Sequence, residues 1–90
     1  MADFTLTERI DIGGMEHTFV FVEQRSGRKR GLLVKVDGKP EYKYMAEVNL
    51  DEYHNKVSQF YSGLAQKILD DYKKNQNFPN QVKYLHYTFT

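Results

Sequence analysis

The chain has 90 residues, a net charge of +1 and no cysteine. This length fits one domain, and the absence of cysteine excludes disulfides and thiolate metal sites. A net charge this close to zero excludes a chain that attracts nucleic acid over its whole surface. The N-terminus lacks the basic and apolar regions of a leader peptide, and no apolar run approaches the ~20 residues of a membrane helix. We therefore expect one α+β domain over residues 1–90, located in the cytoplasm without membrane contact.

The first half of the chain alternates between apolar and polar residues, which is typical of half-buried strands. Two glycine-containing dipeptides, Gly13-Gly14 and Asp37-Gly38, are typical of tight hairpin turns. A looser turn is expected between Arg25 and Lys29. Four strands are predicted, at 4–12, 17–23, 32–36 and 41–48. Because the connections are short, these strands are expected to form an antiparallel meander.

The apolar period then changes from two residues to three and four, which predicts an amphipathic helix of about 24 residues. Asn49 is the expected N-cap, with acidic residues in the first turn. A final strand is predicted at 82–89. If the helix returns across the sheet, this strand runs antiparallel to the first strand and fills its free edge. The predicted fold class is therefore α+β, with element order β-β-β-β-α-β and sheet order 5-1-2-3-4.

The second strand is apolar on both of its faces, with Phe19 and Phe21 on one side and Val20 and Val22 on the other. One helix covers only one side of a sheet, and the other side of an antiparallel sheet is normally polar. Three explanations remain open: a curved sheet that encloses its own core, a homodimer packed through this face, or a foreign partner. The aromatic residues predicted for this interface are Phe19, Phe21, Tyr84 and Tyr87.

Basic residues cluster in the second hairpin. Residues 24–39 contain six basic residues and one acid, a net charge of +5, which leaves −4 for the rest of the chain. The candidate binding residues of this hairpin are Arg25, Arg28, Lys29, Arg30 and Lys35. Tyr42 and Tyr44 on the next strand are candidates for stacking against single-stranded bases. Phosphate binding, an acidic protein partner and simple solvation of a hairpin tip remain open as explanations.

No catalytic or metal-binding pattern is found in the sequence. The three histidines, His17, His54 and His86, lie on different predicted elements without metal-ligand spacing. No serine lies in a nucleophile motif, and the turn glycines do not precede a helix as in a phosphate-binding loop. We expect no cofactor and no metal ion.

These observations favour a small non-enzymatic interaction module that binds a protein partner and forms a homodimer. The alternative is a nucleic-acid-binding module that uses the basic hairpin. The two differ in the forces that dominate binding, since phosphate contacts weaken steeply with salt and apolar contacts do not.

Overall fold

A computed structural model describes residues 4–78. These residues form a four-stranded sheet followed by two helices. The elements are β1 (Thr5–Ile12), β2 (Met15–Ser26), β3 (Lys29–Val36), β4 (Lys39–Glu47), α1 (Leu50–Asn55) and α2 (Val57–Asn75). Neighbouring strands pair antiparallel in the order β1-β2-β3-β4. The predicted α+β class and four-stranded meander are confirmed. The predicted fifth strand at 82–89, and with it the order 5-1-2-3-4, lies outside the described residues.

Two turns of the meander have the backbone geometry that their dipeptides predict. Gly13 and Gly14 both have positive φ, 62° and 84°, and so do Asp37 and Gly38, at 52° and 87°. Positive φ at both central residues is the signature of the type I′ turn, whose twist matches that of paired strands. Asp37 is held in this conformation because its carboxylate accepts hydrogen bonds from the backbone of Thr18 and from the ring of His17.

The sheet has an inner face that packs against both helices and an outer face that does not. Alternate residues of the strands point inward, so that Phe21 lies beside Val34, and Leu32 beside Tyr44. Burial of these side chains provides the main driving force for folding. The buried core consists of Ile10, Phe19, Phe21, Leu32, Val34, Tyr44, Ala46, Tyr53, Phe60, Tyr61, Leu64, Ala65, Ile68 and Leu69.

The helical segment begins where the sequence predicts, but it is divided into two. The Asn49 side chain caps α1 by accepting hydrogen bonds from the backbone of Asp51 and Glu52. Lys56 then leaves helical geometry, with φ −131° and ψ 32°, and α2 starts at the next residue. The prediction of one helix of about 24 residues is therefore wrong at Lys56. The apolar stripe of the helical segment nevertheless faces the sheet, because its residues are buried in both α1 and α2.

Gly31 lies within β3, where the backbone of β4 passes unusually close. A Cβ atom on Gly31 would lie 1.6 Å from the carbonyl oxygen of Tyr44. The pairing of β3 and β4 is also irregular near Val34 and Lys35, where the register shifts. Unlike the turn glycines, Gly31 is thus required for the contact of two strands rather than for a positive φ.

Candidate functional site

The outer face of the sheet carries an apolar patch at its centre. It consists of Val20, Val22, Leu33 and Met45, and we call these four residues the outer patch. Val22 and Leu33 lie directly opposite each other on β2 and β3. All four side chains are half-buried, and none packs against the core beneath the inner face. The outer patch is therefore held by the sheet alone within residues 4–78.

Lysines lie next to the outer patch on one side. Lys35 is directly opposite Val20, and Lys43 is directly opposite Leu33. Their aliphatic stems can extend the apolar surface of the outer patch. The site thus combines an apolar centre with a charged margin, in which Lys35 and Lys43 are accompanied by Glu47, two residues after Met45 on β4.

The structure separates the residues of the predicted basic hairpin. Arg25 donates a hydrogen bond to the Glu23 carboxylate at 2.5 Å, so its charge is already paired. Arg28 and Lys29 are exposed at the β2–β3 turn, whereas Lys35 is half-buried beside the outer patch. Only some of the basic residues predicted to bind together therefore lie on one exposed surface.

Arg30 is occupied by contacts within the protein, which the sequence did not predict. Its side chain is directed inward, and the residue is only 9% exposed. Nη1 donates hydrogen bonds to the carbonyl groups of Gly27 at 2.7 Å and Lys29 at 2.9 Å. The guanidinium group also lies 5.1 Å from the ring centroid of Tyr53, in cation–π geometry. Arg30 closes the turn and packs against α1, so it is not accessible to a phosphate.

A polar cluster lies beneath the helices at the end of the inner face. The Glu23 side chain is 3% exposed and accepts hydrogen bonds from Arg25, from the Tyr53 hydroxyl at 2.5 Å and from the backbone of Phe4 at 3.2 Å. The Tyr53 hydroxyl also lies 3.0 Å from that of Tyr61. This cluster joins the residue that precedes β1, the C-terminal part of β2 and both helices.

The electrostatics of this cluster favour a structural role. Burial alone would raise the pKa of Glu23, but the hydrogen bonds from Arg25, Tyr53 and Phe4 outweigh it and lower the pKa to about 2. Burial also raises the pKa of Tyr61. A catalytic acid or base works best with a pKa near the working pH, and both groups lie far from neutrality. The sequence analysis did not predict this cluster, although Glu23 lies on the same face of β2 as Phe19 and Phe21.

The tyrosines predicted to stack on bases are covered. Tyr44 is 1% exposed within the core. The ring of Tyr42 lies parallel to that of Phe78, with centroids 4.8 Å apart and an interplanar angle of 6°. Burial raises the pKa of each tyrosine to about 12. Neither ring presents an open face of the kind that a nucleobase needs.

Two of the four aromatic residues predicted for an interface, Phe19 and Phe21, are not on the outer face. Both side chains are fully buried beneath the helices, so in this structure they are not exposed to a partner. They point inward because β2 alternates, and its outward residues are Val20 and Val22. Tyr84 and Tyr87 lie outside the described residues.

An open groove lies between the β2–β3 turn and the start of α1. It has a volume of about 540 Å³ and is lined by Arg28, Glu47, Val48, Asn49, Leu50 and Asp51. The lining carries both signs of charge, and the Asn49 side chain already accepts the first amide hydrogen bonds of α1. The groove therefore does not select for an anion.

The histidines do not assemble a metal centre in the part of the chain that the structure describes. His17 bonds to Asp37 at 2.7 Å, and the hydrogen bond from His17 is the main cause that lowers the pKa of this aspartate. His54 is exposed on α1, and His86 lies outside the described residues. Between residues 4 and 78, no group of three or more histidine, aspartate or glutamate side chains could hold a metal ion.

Comparison with known proteins adds no family to these observations. No family model, no curated protein and no solved structure matches the chain. Neither helix in residues 4–78 has the combination of length and apolar character that crossing a bilayer requires. The outer patch and its lysines are thus the feature on which a functional proposal can be built.

Proposed function

We propose that this chain is a small non-enzymatic interaction module that binds a protein partner through the outer face of its sheet. The observation that carries the proposal is the outer patch, a group of apolar side chains on the face that neither helix covers. A solvent-facing side of an antiparallel sheet is normally polar, and contiguous apolar patches mark interaction sites.

Two explanations for the apolar outer face are an external partner and a curved sheet that encloses its own core. The geometry of the sheet supports the first of these. The core lies between the inner face and the helices, and within residues 4–78 β1 and β4 are not paired with each other. The sheet is therefore open in this part of the chain. Its curvature does not bring a second layer of described residues over Val22 and Leu33.

Affinity capture with identification by mass spectrometry tests the proposal. The bait is the full chain, used against an extract of its source organism with and without nuclease treatment. The matched variants are Leu33→Lys, which places a charge in the outer patch, and Gln59→Lys, which places one on an exposed position of α2. We expect the wild type and Gln59→Lys to retain the same protein, with nuclease having no effect, and Leu33→Lys to lose it.

Two results would contradict the proposal. Equal retention by Leu33→Lys would show that the outer face is not the binding surface. Retention that disappears with nuclease would favour the alternative, a nucleic-acid-binding module that uses Arg28 and Lys29. That alternative also predicts an affinity that falls steeply as salt increases.

Self-association through the same face stays a prediction from the sequence. Light scattering on the wild type and on Leu33→Lys tests it, since a dimer has twice the mass of a monomer. A doubled mass that Leu33→Lys abolishes would establish a homodimer through the outer patch. A wild type that stays monomeric at high concentration would remove this version of the proposal.

Two further features also stay predictions. A fifth strand at 82–89 on the free edge of β1 would protect amide hydrogens of both segments from exchange, and its absence would leave them unprotected. A cytoplasmic location would be tested by fractionation of the source organism.

A further inference from the structure

The open groove between the β2–β3 turn and α1 is lined by side chains of both charges and by apolar ones. Arg28 belongs to the turn, whereas Glu47 is the last residue of β4 and Asp51 lies in the first turn of α1. Val48 and Leu50 also line the groove, and both are half-buried. Its volume of about 540 Å³ is in the range of small-molecule sites.

The charged side chains of the groove are available to a ligand. Arg28, Glu47 and Asp51 are exposed, and none of them forms an ion pair within residues 4–78. Arg28 differs in this respect from the other two arginines of the hairpin, because Arg25 is paired with Glu23 and Arg30 is directed inward. Arg28 is therefore the arginine of this hairpin that can bind a carboxylate.

The backbone around the groove is held by hydrogen bonds. The amide of Val48 donates to the carbonyl group of Arg28 at 3.4 Å, which connects the end of β4 to the turn. The Asn49 side chain accepts from the amides of Asp51 and Glu52, so these amides are not available to an anion. The charges that a ligand meets are therefore those of side chains, on a backbone that the fold fixes.

This combination of charges discriminates between classes of ligand. An anion near Arg28 is repelled by Glu47 and Asp51, and a cation near these carboxylates is repelled by Arg28. A ligand that carries both charges can satisfy both kinds of side chain, and like-charge contacts exclude its singly charged analogues.

We propose that the groove binds a small zwitterion of the amino-acid class with an apolar side chain. Its carboxylate accepts hydrogen bonds from Arg28, which can hold a carboxylate through two parallel bonds. Its ammonium group donates to Glu47 and Asp51, and its side chain contacts Val48 and Leu50. This site is separate from the outer patch, so the inference goes beyond the proposed function and does not depend on it.

Nuclear magnetic resonance titration of the full-length, isotope-labelled chain tests the proposal, with L-leucine as the probe. N-acetyl-leucine keeps the carboxylate without the ammonium group, and leucine amide keeps the ammonium group without the carboxylate. We expect leucine to shift the amide signals of Val48 and Leu50 in a saturable manner. Each singly charged analogue should bind about tenfold more weakly or worse, because a charged hydrogen-bond partner is lost.

Two variants assign the charges of the ligand to the two kinds of side chain. Arg28→Gln should weaken leucine about tenfold or more without weakening leucine amide. Glu47→Gln/Asp51→Asn should weaken leucine to a similar extent without weakening N-acetyl-leucine. Lys73→Gln, at an exposed position of the last turn of α2, is the matched control and should bind leucine like the wild type.

Several results would overturn the proposal. One is the lack of a saturable shift at Val48 and Leu50 up to the solubility limit of leucine. Another is binding of N-acetyl-leucine or leucine amide as tight as that of leucine, which would show that the groove recognises only one charge. Equal affinity in Arg28→Gln would place the site elsewhere. Circular dichroism of each variant excludes unfolding as the cause of a loss.

The outer patch provides a test that separates the two proposals. Leu33 does not line the groove, so Leu33→Lys should bind leucine like the wild type while it loses the captured protein. Failure of leucine binding would leave the protein partner intact, and failure of protein capture would leave the zwitterion site intact.

Discussion

Neighbouring residues of β2 meet two different environments. Phe19 and Phe21 are fully buried under the helices, whereas Val20 and Val22, which alternate with them, stay partly exposed on the opposite face. The inner residues are apolar because the core requires it. The outer residues have no such reason within the described chain. One strand thus carries both side chains that the fold buries and apolar side chains that it leaves partly exposed.

The largest expected effect is on the inner face. Phe21→Ala removes a buried ring from the core and should lower the free energy of unfolding by about 4 kcal/mol. Val22→Ala, one residue away on the outer face, should lower it by only about 1 kcal/mol because the side chain is half-exposed. Urea unfolding of both variants measures the contrast. Equal losses would mean that the outer face is covered as completely as the inner one.

Substitutions on the outer face are generally expected to change the free energy of unfolding only slightly. Gly31→Ala is expected to be an exception. The added Cβ would meet the Tyr44 carbonyl group, so β3 and β4 would have to separate. We expect a loss of about 3 kcal/mol, near the upper end for overpacked sites. Thermal unfolding, with Gln24→Ala on the paired position of β2 as control, measures it. A stable Gly31→Ala would show that the two strands are farther apart than described.

Glu23→Gln tests the polar part of the inner face. Loss of the charged hydrogen bonds to Arg25 and Tyr53 should lower the free energy of unfolding by about 2 kcal/mol at neutral pH. The folded pKa of Glu23, about 2, lies below its ordinary value of 4.5. Its stabilisation is therefore complete above the ordinary value and is lost as the pH falls toward the folded value.

Unfolding measured between about pH 7 and pH 2 checks this sign. The wild type should lose stability over the acidic part of the range, and Glu23→Gln should lose less. Glu8→Gln, at an exposed position of β1, is the control and should follow the wild type. A parallel decline in Glu23→Gln would place the acid-sensitive group elsewhere.

The smallest effect on stability is expected for a substitution on the outer face, where it should be combined with weaker binding. Val22→Thr replaces one methyl group by a hydroxyl in a residue type that suits strands equally well. We expect a change in the free energy of unfolding within about 0.5 kcal/mol, as for other surface substitutions. The captured partner should nevertheless bind more weakly, which titration calorimetry measures. Unchanged affinity would remove Val22 from the binding surface.

Much of the fold was predictable because its signals are local. Alternation, the dipeptides Gly13-Gly14 and Asp37-Gly38, and the cap at Asn49 each depend on residues that are close in sequence. The break at Lys56 was not predictable, since the apolar stripe continues through it. The candidate site was predictable only in part. Alternation identified two apolar faces on β2, but it did not indicate which face the helices cover.

The sequence by itself determined the four strands, their antiparallel order and the presence of a surplus apolar face. These follow from side-chain alternation and from turns whose backbone geometry only a few residues adopt. Tertiary structure alone decided that Phe19 and Phe21 belong to the core, that Arg30 turns inward onto Tyr53, and that Lys35 and Lys43 border the outer patch. The physical reason is that strand pairing and helix packing join residues far apart in sequence, and no local pattern specifies which side chains meet.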